Sequence, residues 1–306
     1  MSEELLPKKN FSEISIEDLF RQIWNKKILI SLITSLAALI SVLYSLYTPN
    51  IYTSTAIIAP SSSENSLTSN LGGYSSLAGF AGINIRQQNL TKHDEAIERI
   101  KSFDFFVDEF IPNIKYQDLV AYKNWNSASN KIIYDANIFK DNKWVRKVVP
   151  GRLAKPSNQE AFKIYKKILN INEDAQSSFI TIKINHVSPF IAKEWIELII
   201  LKINNYMRDI DKEVAQNSIN FLKASSQETN ITQIKIVISK LIESHIQTLT
   251  LAESNIHYVF KPVSSPIAPE EKSGPLRALI CIFGTLFGFL ISIFYVFFTN
   301  TIIRQR

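Results

Sequence analysis

The sequence predicts an α+β membrane protein, in which two transmembrane helices flank an exported α/β base domain carrying a long helical hairpin. Three observations predict it. Two uncharged apolar runs, ILISLITSLAALISVLYSLY at 28–47 and ALICIFGTLFGFLISIFYVFFTN at 278–300, each reach the roughly 20 residues a helix needs to cross a hydrocarbon core. The stretch 190–261 holds no proline and no glycine while its apolar residues recur at helical spacing. Between the first span and that stretch, strand-like and helix-like patterns alternate, as in α/β units.

The bulk numbers exclude several classes. A chain of 306 residues, 46% hydrophobic and 20% charged, suits one large domain or two modest ones. The net charge of +6 is spread among mixed signs, with no basic run interleaved with aromatics, so nucleic acid is not an expected partner. The single cysteine, Cys281, lies in the second apolar run, which excludes a disulfide framework and a thiolate zinc site.

In chain order, residues 1–27 form an amphipathic cytoplasmic lead-in, with Ile16, Leu19, Phe20, Ile23 and Trp24 on one face. Residues 28–47 are the first span. A cleaved signal peptide fits poorly, because the leader carries five acidic residues, the run exceeds a usual h-region and no A-x-A site follows. Lys26 and Lys27 abut the first span, and Arg304 and Arg306 follow the second, in the tail 301–306. Short flanks rich in Lys and Arg stay in the cytoplasm, so both termini are expected there, with residues 48–275 across the membrane, in a bacterium the periplasm.

The base domain occupies 48–189. IYTSTAIIA at 51–59 reads as a strand, and 60–83, rich in Ser and Gly, as loop. A helix begins at Thr91, with acidic residues in its first turn, and the pattern continues to Ile111 before Pro112. Residues 113–156 read as short strands with a turn at Pro150-Gly151. Ser157 and Glu160 form a capping box for a helix over 157–169, and SSFITIKIN at 177–185 alternates as a strand.

Pro189 sits at a helix start, where its missing N–H costs nothing. Apolar stripes run through Ile199, Ile203, Tyr206, Ile210 and Val214, then through Ile231, Ile234, Ile238, Leu241, His245 and Leu249. One helix over this stretch would be about 100 Å long, yet the chain must regain the membrane by residue 276. The polar KASSQETN at 223–230 therefore predicts a hairpin in the extension 190–255, with arms over about 190–223 and 228–255. The stripes need partners, either each other or the arms of neighbouring copies.

NIHYVFKP at 255–262 reads as a returning strand, and 256–277 as that strand followed by a stiff strut. Pro266, Pro269 and Pro275 cannot donate backbone hydrogen bonds and favour extended backbone. In the second span, Gly284 and Gly288 lie four apart on one face and allow close helix approach in lipid, toward the first span or another subunit.

These features together resemble the chain length determinant family, the Wzz-type polysaccharide co-polymerases of Gram-negative inner membranes. The resemblance is carried by EISIEDLFRQIWNKKILI before the first span, TPNIYTSTAIIAP after it, SFITIKINHVSPFIAKEWIELI at the strand–helix junction and YVFKPVSSPIAPEEKSGPLRALICIFGTLFGFL at the end. It makes Pro266, Pro269, Pro275, Gly284 and Gly288 motif positions. Two departures stand out. The family's Ser-Pro-Lys is here Ser273-Gly274-Pro275-Leu276-Arg277, and the extra exported segment that many members carry after the long helix is missing. The resemblance implies a homo-oligomer that sets the length of O-antigen or a related glycan, with a membrane-embedded polymerase and a lipid-linked glycan as partners. A related reading is a capsule or exopolysaccharide export co-polymerase working with a separate kinase.

No enzyme is expected, and no catalytic, cofactor or metal residues. His93, His186, His245 and His257 show no metal-type spacing, and G-x-S-x-G and phosphate-loop motifs are missing. The short flanks leave little room for a sensor's output module, and a second span argues against an export-pump adaptor.

Overall fold

A computed structural model describes residues 24–61, 91–148 and 150–305. It is a mixed helix and sheet structure in two compact units, one gathering residues 1–49 and 274–306, the other residues 50–273. The Ser- and Gly-rich stretch expected as loop at 60–83 falls, past Ser61, outside the described residues.

The first unit opens with α1, Lys27–Tyr47, an apolar helix with no charge beyond its first residue. The second unit is built on a four-stranded sheet in the order β6 (Leu169–Glu173), β7 (Ile180–His186), β1 (Tyr52–Pro60) and β8 (Phe260–Ser264), every neighbouring pair antiparallel. β1, Tyr52–Pro60, alternates so that Ser54, Ala56 and Ile58 are buried.

The helix expected from Thr91 breaks into pieces. α2, Lys92–Ile100, is capped by Thr91 in a capping box with Asp94. Ser102 then restarts the chain with its own side-chain cap on the Phe105 N–H. A π-turn over Phe106–Phe110 and a 3-10 turn over Ile111–Asn113 follow, with Pro112 inside the last. The π-turn aims Phe106 and Phe110 into the core, where both rings lie 4.9 Å from Tyr165 and Phe110 lies 5.5 Å from Trp195. Each such ring, fully buried, stabilises the fold by about 1.5–3 kcal/mol.

Residues 113–156 hold a helix the sequence pattern does not announce, α3, Tyr116–Val120, and two hairpins. β2, Tyr122–Asn126, pairs with β3, Lys131–Tyr134, and β4, Phe139–Lys140, pairs with β5, Lys143–Trp144. Next comes α4, Asn158–Ile168, with the Ser157–Glu160 capping box in place. It passes without a break into β6, Leu169–Glu173, which pairs with β7, Ile180–His186. β7 begins three residues later than expected, because 174–179 is a turn with Ser178 at φ +54°.

α5, Pro189–Glu228, is capped by Ser188 with Pro189 in its first turn. Ala192, Trp195, Ile196, Ile199, Ile203 and Met207 are buried, a 3-4 spacing that lays the first half of α5 on β1 and β7. The helix runs about 60 Å, through the KASSQE expected to turn. Ser225 there satisfies its hydroxyl by donating to the Phe221 carbonyl one turn back, so a turn-forming residue rides inside a helix. The chain reverses at 229–231 into α6, Thr232–Ser254. Lys212 on α5 pairs with Glu253 near the end of α6 at 3.1 Å, so the second arm runs back alongside the first and the arms pack antiparallel.

β8, Phe260–Ser264, returns the chain to the sheet edge beside β1, across a register shift at Ile57/Ile58. It starts five residues later than expected from NIHYVFKP, because 255–259 bends to seat Tyr258 and Val259 in the core. The first unit closes with α7, Arg277–Gln305.

Candidate functional site

The glycines of α7 meet α1. A Cβ built on Gly284 would collide with the Ser41 side chain, and one on Gly288 with the Ala37 methyl. Ser41 donates to the Ile280 carbonyl at 2.8 Å, an interhelical bond made possible by the close approach that Gly284 allows. Both helices are long and apolar enough to cross a membrane. Of the two partners left open for the glycine face, α1 of the same chain is the one in contact.

The proline segment stands against β1. β8 diverges past Ser264, leaving the edge of β1 before Ile57 without a strand partner on that side. Ser273 fills the gap at its far end, its N–H donating to the Ile51 carbonyl at 2.8 Å and its Oγ accepting from the Thr53 N–H at 3.0 Å. The Ser54 hydroxyl donates to the Ile267 carbonyl at 2.7 Å. Pro266 is buried, Pro269 and Pro275 are half-buried, and the Gly274–Pro275 peptide is cis. The segment thus covers a sheet edge as well as linking it to α7. Prolines suit that place because they lack the N–H that would recruit a further strand.

The hairpin is rooted by polar side chains that the apolar pattern conceals. Asn204, 3% exposed in the middle of α5, donates to the carbonyls of Ile200 and Phe260 and accepts from the N–H groups of Val259 and Phe260. Its full hydrogen-bonding capacity is spent on tying α5 to the start of β8. Beside it, Lys92 pairs with Asp211 at 2.6 Å and Tyr258 donates to the same carboxylate at 2.5 Å, joining α2, α5 and the return segment. Burial, then the Asp211 carboxylate, pushes the Tyr258 hydroxyl up.

His186 ends β7, fully buried. Its Nδ1 accepts from the Ser188 N–H at 3.1 Å, so the ring proton sits on Nε2 and is donated to the Asp118 carbonyl at 3.0 Å. Burial pushes its pKa down to about 4. The ring is a neutral structural joint holding the β7–α5 corner to α3. His245 is half-buried on α6 and His257 is exposed.

His93 is drawn by the fold toward two carboxylates, although nothing in its sequence spacing announces it. One ligand atom each from His93, Asp94 and Glu173 lies within 4.8 Å of the others. Asp94 is already engaged by the Thr91 hydroxyl at 2.6 Å and the Thr91 N–H at 3.0 Å, which hold its carboxyl below the usual range. The grouping follows from the start of α2 lying against the end of β6, a strand not legible in the sequence.

Residues 12–105 match the family model described as "Wzz: Chain length determinant protein". No curated protein matches the sequence. Among solved structures, a full-length bacterial polysaccharide co-polymerase is 15% identical at a TM-score of 0.43, the match covering 95% of this chain and 99% of that one. A fragment of WzzB, a polysaccharide co-polymerase from Salmonella Typhimurium, is 14% identical at a TM-score of 0.32, covering 74% of this chain and 100% of the fragment. The family likeness rests on the sequence match: residues 12–105, about a third of the chain, are similar to chain length determinant proteins of the Wzz type.

Proposed function

We propose that this protein is a non-catalytic regulator of surface-polysaccharide chain length. It would act as a membrane-anchored homo-oligomer on a membrane-embedded polymerase and its lipid-linked glycan. The observation that carries the reading is the pairing of two membrane-length helices with a 40-residue helix and its return arm, in a chain whose first third matches the family. In this reading both termini are cytoplasmic, residues 48–275 are periplasmic in the bacterial inner membrane, and the glycan is O-antigen of lipopolysaccharide. Pro266, Pro269, Pro275, Gly284 and Gly288 set how the exported domain is joined to its spans. Replacing Pro266 and Pro269 by serine should shift glycan length at unchanged protein abundance.

The test is deletion of the gene in its host, followed by gels stained for lipopolysaccharide and for capsule or exopolymer. Loss of the modal band of the lipopolysaccharide ladder, with chains still made, is the expected result. An unchanged ladder beside an altered exopolymer would move the function to export co-polymerisation with a separate kinase. No change in either glycan would overturn the length reading.

A further inference from the structure

The charge of the chain is not evenly spread. Residues 115–167 hold 12 Lys and Arg against 4 Asp and Glu, a net +8, whereas the rest of the chain holds 22 against 24, a net −2. That stretch is one lobe. The rings of Tyr116, Tyr134, Phe139 and Trp144 pack edge-on or tilted at centroid distances of 4.9–5.9 Å, and the Tyr116 hydroxyl donates to the Pro156 carbonyl at 2.8 Å, so α3, both hairpins and the approach to α4 pack as a piece.

Of the four acids of the lobe, Asp141 is exposed in the turn between Lys140 and Lys143, and Asp135 is half-buried and accepts from the Asn137 N–H. Asp118 is buried and accepts from the Tyr134 hydroxyl at 2.5 Å. Glu160 is taken by Arg146 at 2.9 Å and by the cap of α4. The lysines, by contrast, are outward. Lys123, Lys131, Lys140, Lys143, Lys163 and Lys167 are all exposed.

Two arrangements work against the fold itself. Lys140 and Lys143 stand directly opposite each other across β4 and β5, at the tip of a hairpin whose turn residues Asp141 and Asn142 have φ of +50° and +58°. Like charges directly opposite destabilise a strand pair. Lys163 and Lys167 repeat the conflict at i,i+4 on α4. Asp141 offsets part of the first conflict, and local rules broken at exposed positions in this way are expected at functional places.

We propose that the lobe 115–167 binds an acidic polysaccharide, one bearing a carboxylate or other anion in its repeat. This deepens the chain-length reading and rests on it, since it names the chemical class of the glycan. Ten of the twelve cations are lysines, hydrated point charges on flexible stems rather than forks built for one planar anion. Spread over two hairpins and a helix, they suit the repeated charge of a polymer better than a single ion. Opposite charge of this extent also raises the local concentration of a polyanion and speeds its capture.

The test uses the full chain in nanodiscs of zwitterionic lipid, with alginate oligomers as the acidic probe, dextran as the neutral one and phosphatidylglycerol vesicles as the lipid one. Alginate should bind at least about tenfold tighter than dextran at low salt, and lose most of that advantage at about 0.5 M NaCl, where the screening length falls to a few ångströms. The variant Lys143→Glu and Lys163→Glu, one exposed member of each like-charge pair, should lose alginate binding by about tenfold or more while melting no lower than the parent, because each pair then carries opposite charges. Equal binding of alginate and dextran, or unchanged alginate binding by the variant, overturns the proposal. So does loss of vesicle binding alone, which would make the lobe a membrane-contacting surface. If alginate binding fails while gene deletion still changes glycan length, this inference falls and the length reading stands. If deletion leaves every glycan unchanged, the length reading falls, whatever alginate does.

Discussion

Asn204 is the side chain on which the hairpin root turns. It is a polar residue in an apolar stripe, which in sequence reads as an interruption of a helix face. In the fold it supplies partners to three buried backbone groups of the return segment, the Phe260 carbonyl and the N–H groups of Val259 and Phe260. Asn204→Leu should therefore cost about 2–4 kcal/mol, since removing one partner leaves buried donors and an acceptor without compensation. Chemical denaturation of the detergent-solubilised chain reads this directly, and a loss below about 0.5 kcal/mol would contradict it.

His186 makes a second residue-scale prediction, one of pH. Its folded pKa of about 4 lies below the unfolded value near 6.5, so the unfolded chain binds more protons between those limits. The contribution is full above pH 6.5 and is lost as pH falls toward 4, on the order of 3 kcal/mol in total. Asp118, whose carboxyl is raised by burial, acts with the opposite sign at the lower end of the range. The comparison is thus with His186→Gln, which should flatten the stability profile between pH 6.5 and 4 while Asp118 is unchanged. Parallel profiles for the two proteins would show that His186 does not carry the acid sensitivity.

At the scale of elements, legibility followed local chemistry. The α4 capping box was readable because Ser157 and Glu160 sit three apart before a helical run, and the structure has both of its hydrogen bonds. β1 was readable from its β-branched and aromatic residues, and α5 and α6 from their apolar periods. β6 was not, because α4 hands over to it between Ile168 and Leu169 with no Gly or Pro to mark the change, and only pairing with β7 makes LNINE a strand. The proline segment was legible as extended backbone, but not as the cover of β1's edge, because that depends on where β8 stops.

The small residues of α7 were legible, and their partner was not. Placing a methyl at Gly284 would drive α7 into Ser41, and one at Gly288 would drive it into Ala37. Overpacking of this kind costs about 1–3 kcal/mol per site, and in lipid no hydrophobic drive restores the contact. Gly284→Ala should lower the melting temperature of the solubilised protein, Gly284→Leu with Gly288→Leu should lower it further, and Ser41→Gly should partly rescue Gly284→Ala. A melting temperature unmoved by the double leucine change would mean that the two helices do not pack through this face.

At the scale of the whole molecule, the hairpin leaves a face unmet. Past Met207 the arms bury only Ala215, Ile219, Ile238 and Ala252 among their described side chains. Val214, expected on the buried stripe, is 56% exposed, and Ile234, Val237 and Leu241 on α6 are 43%, 55% and 42% exposed. Two arms can cover only the faces they turn toward each other, so a period of apolar residues wider than that seam calls for a further partner. In the proposed assembly that partner is the hairpin of a neighbouring copy. Ile234→Glu with Val237→Glu should then leave the melting of the isolated chain within about 0.5 kcal/mol, as expected for surface positions, yet abolish oligomers trapped by crosslinking in native membranes. Glycan length should change in the same strain. Intact oligomers carrying both glutamates would place the assembly contact elsewhere on the chain, and a large drop in stability would mean that the face is covered within the chain.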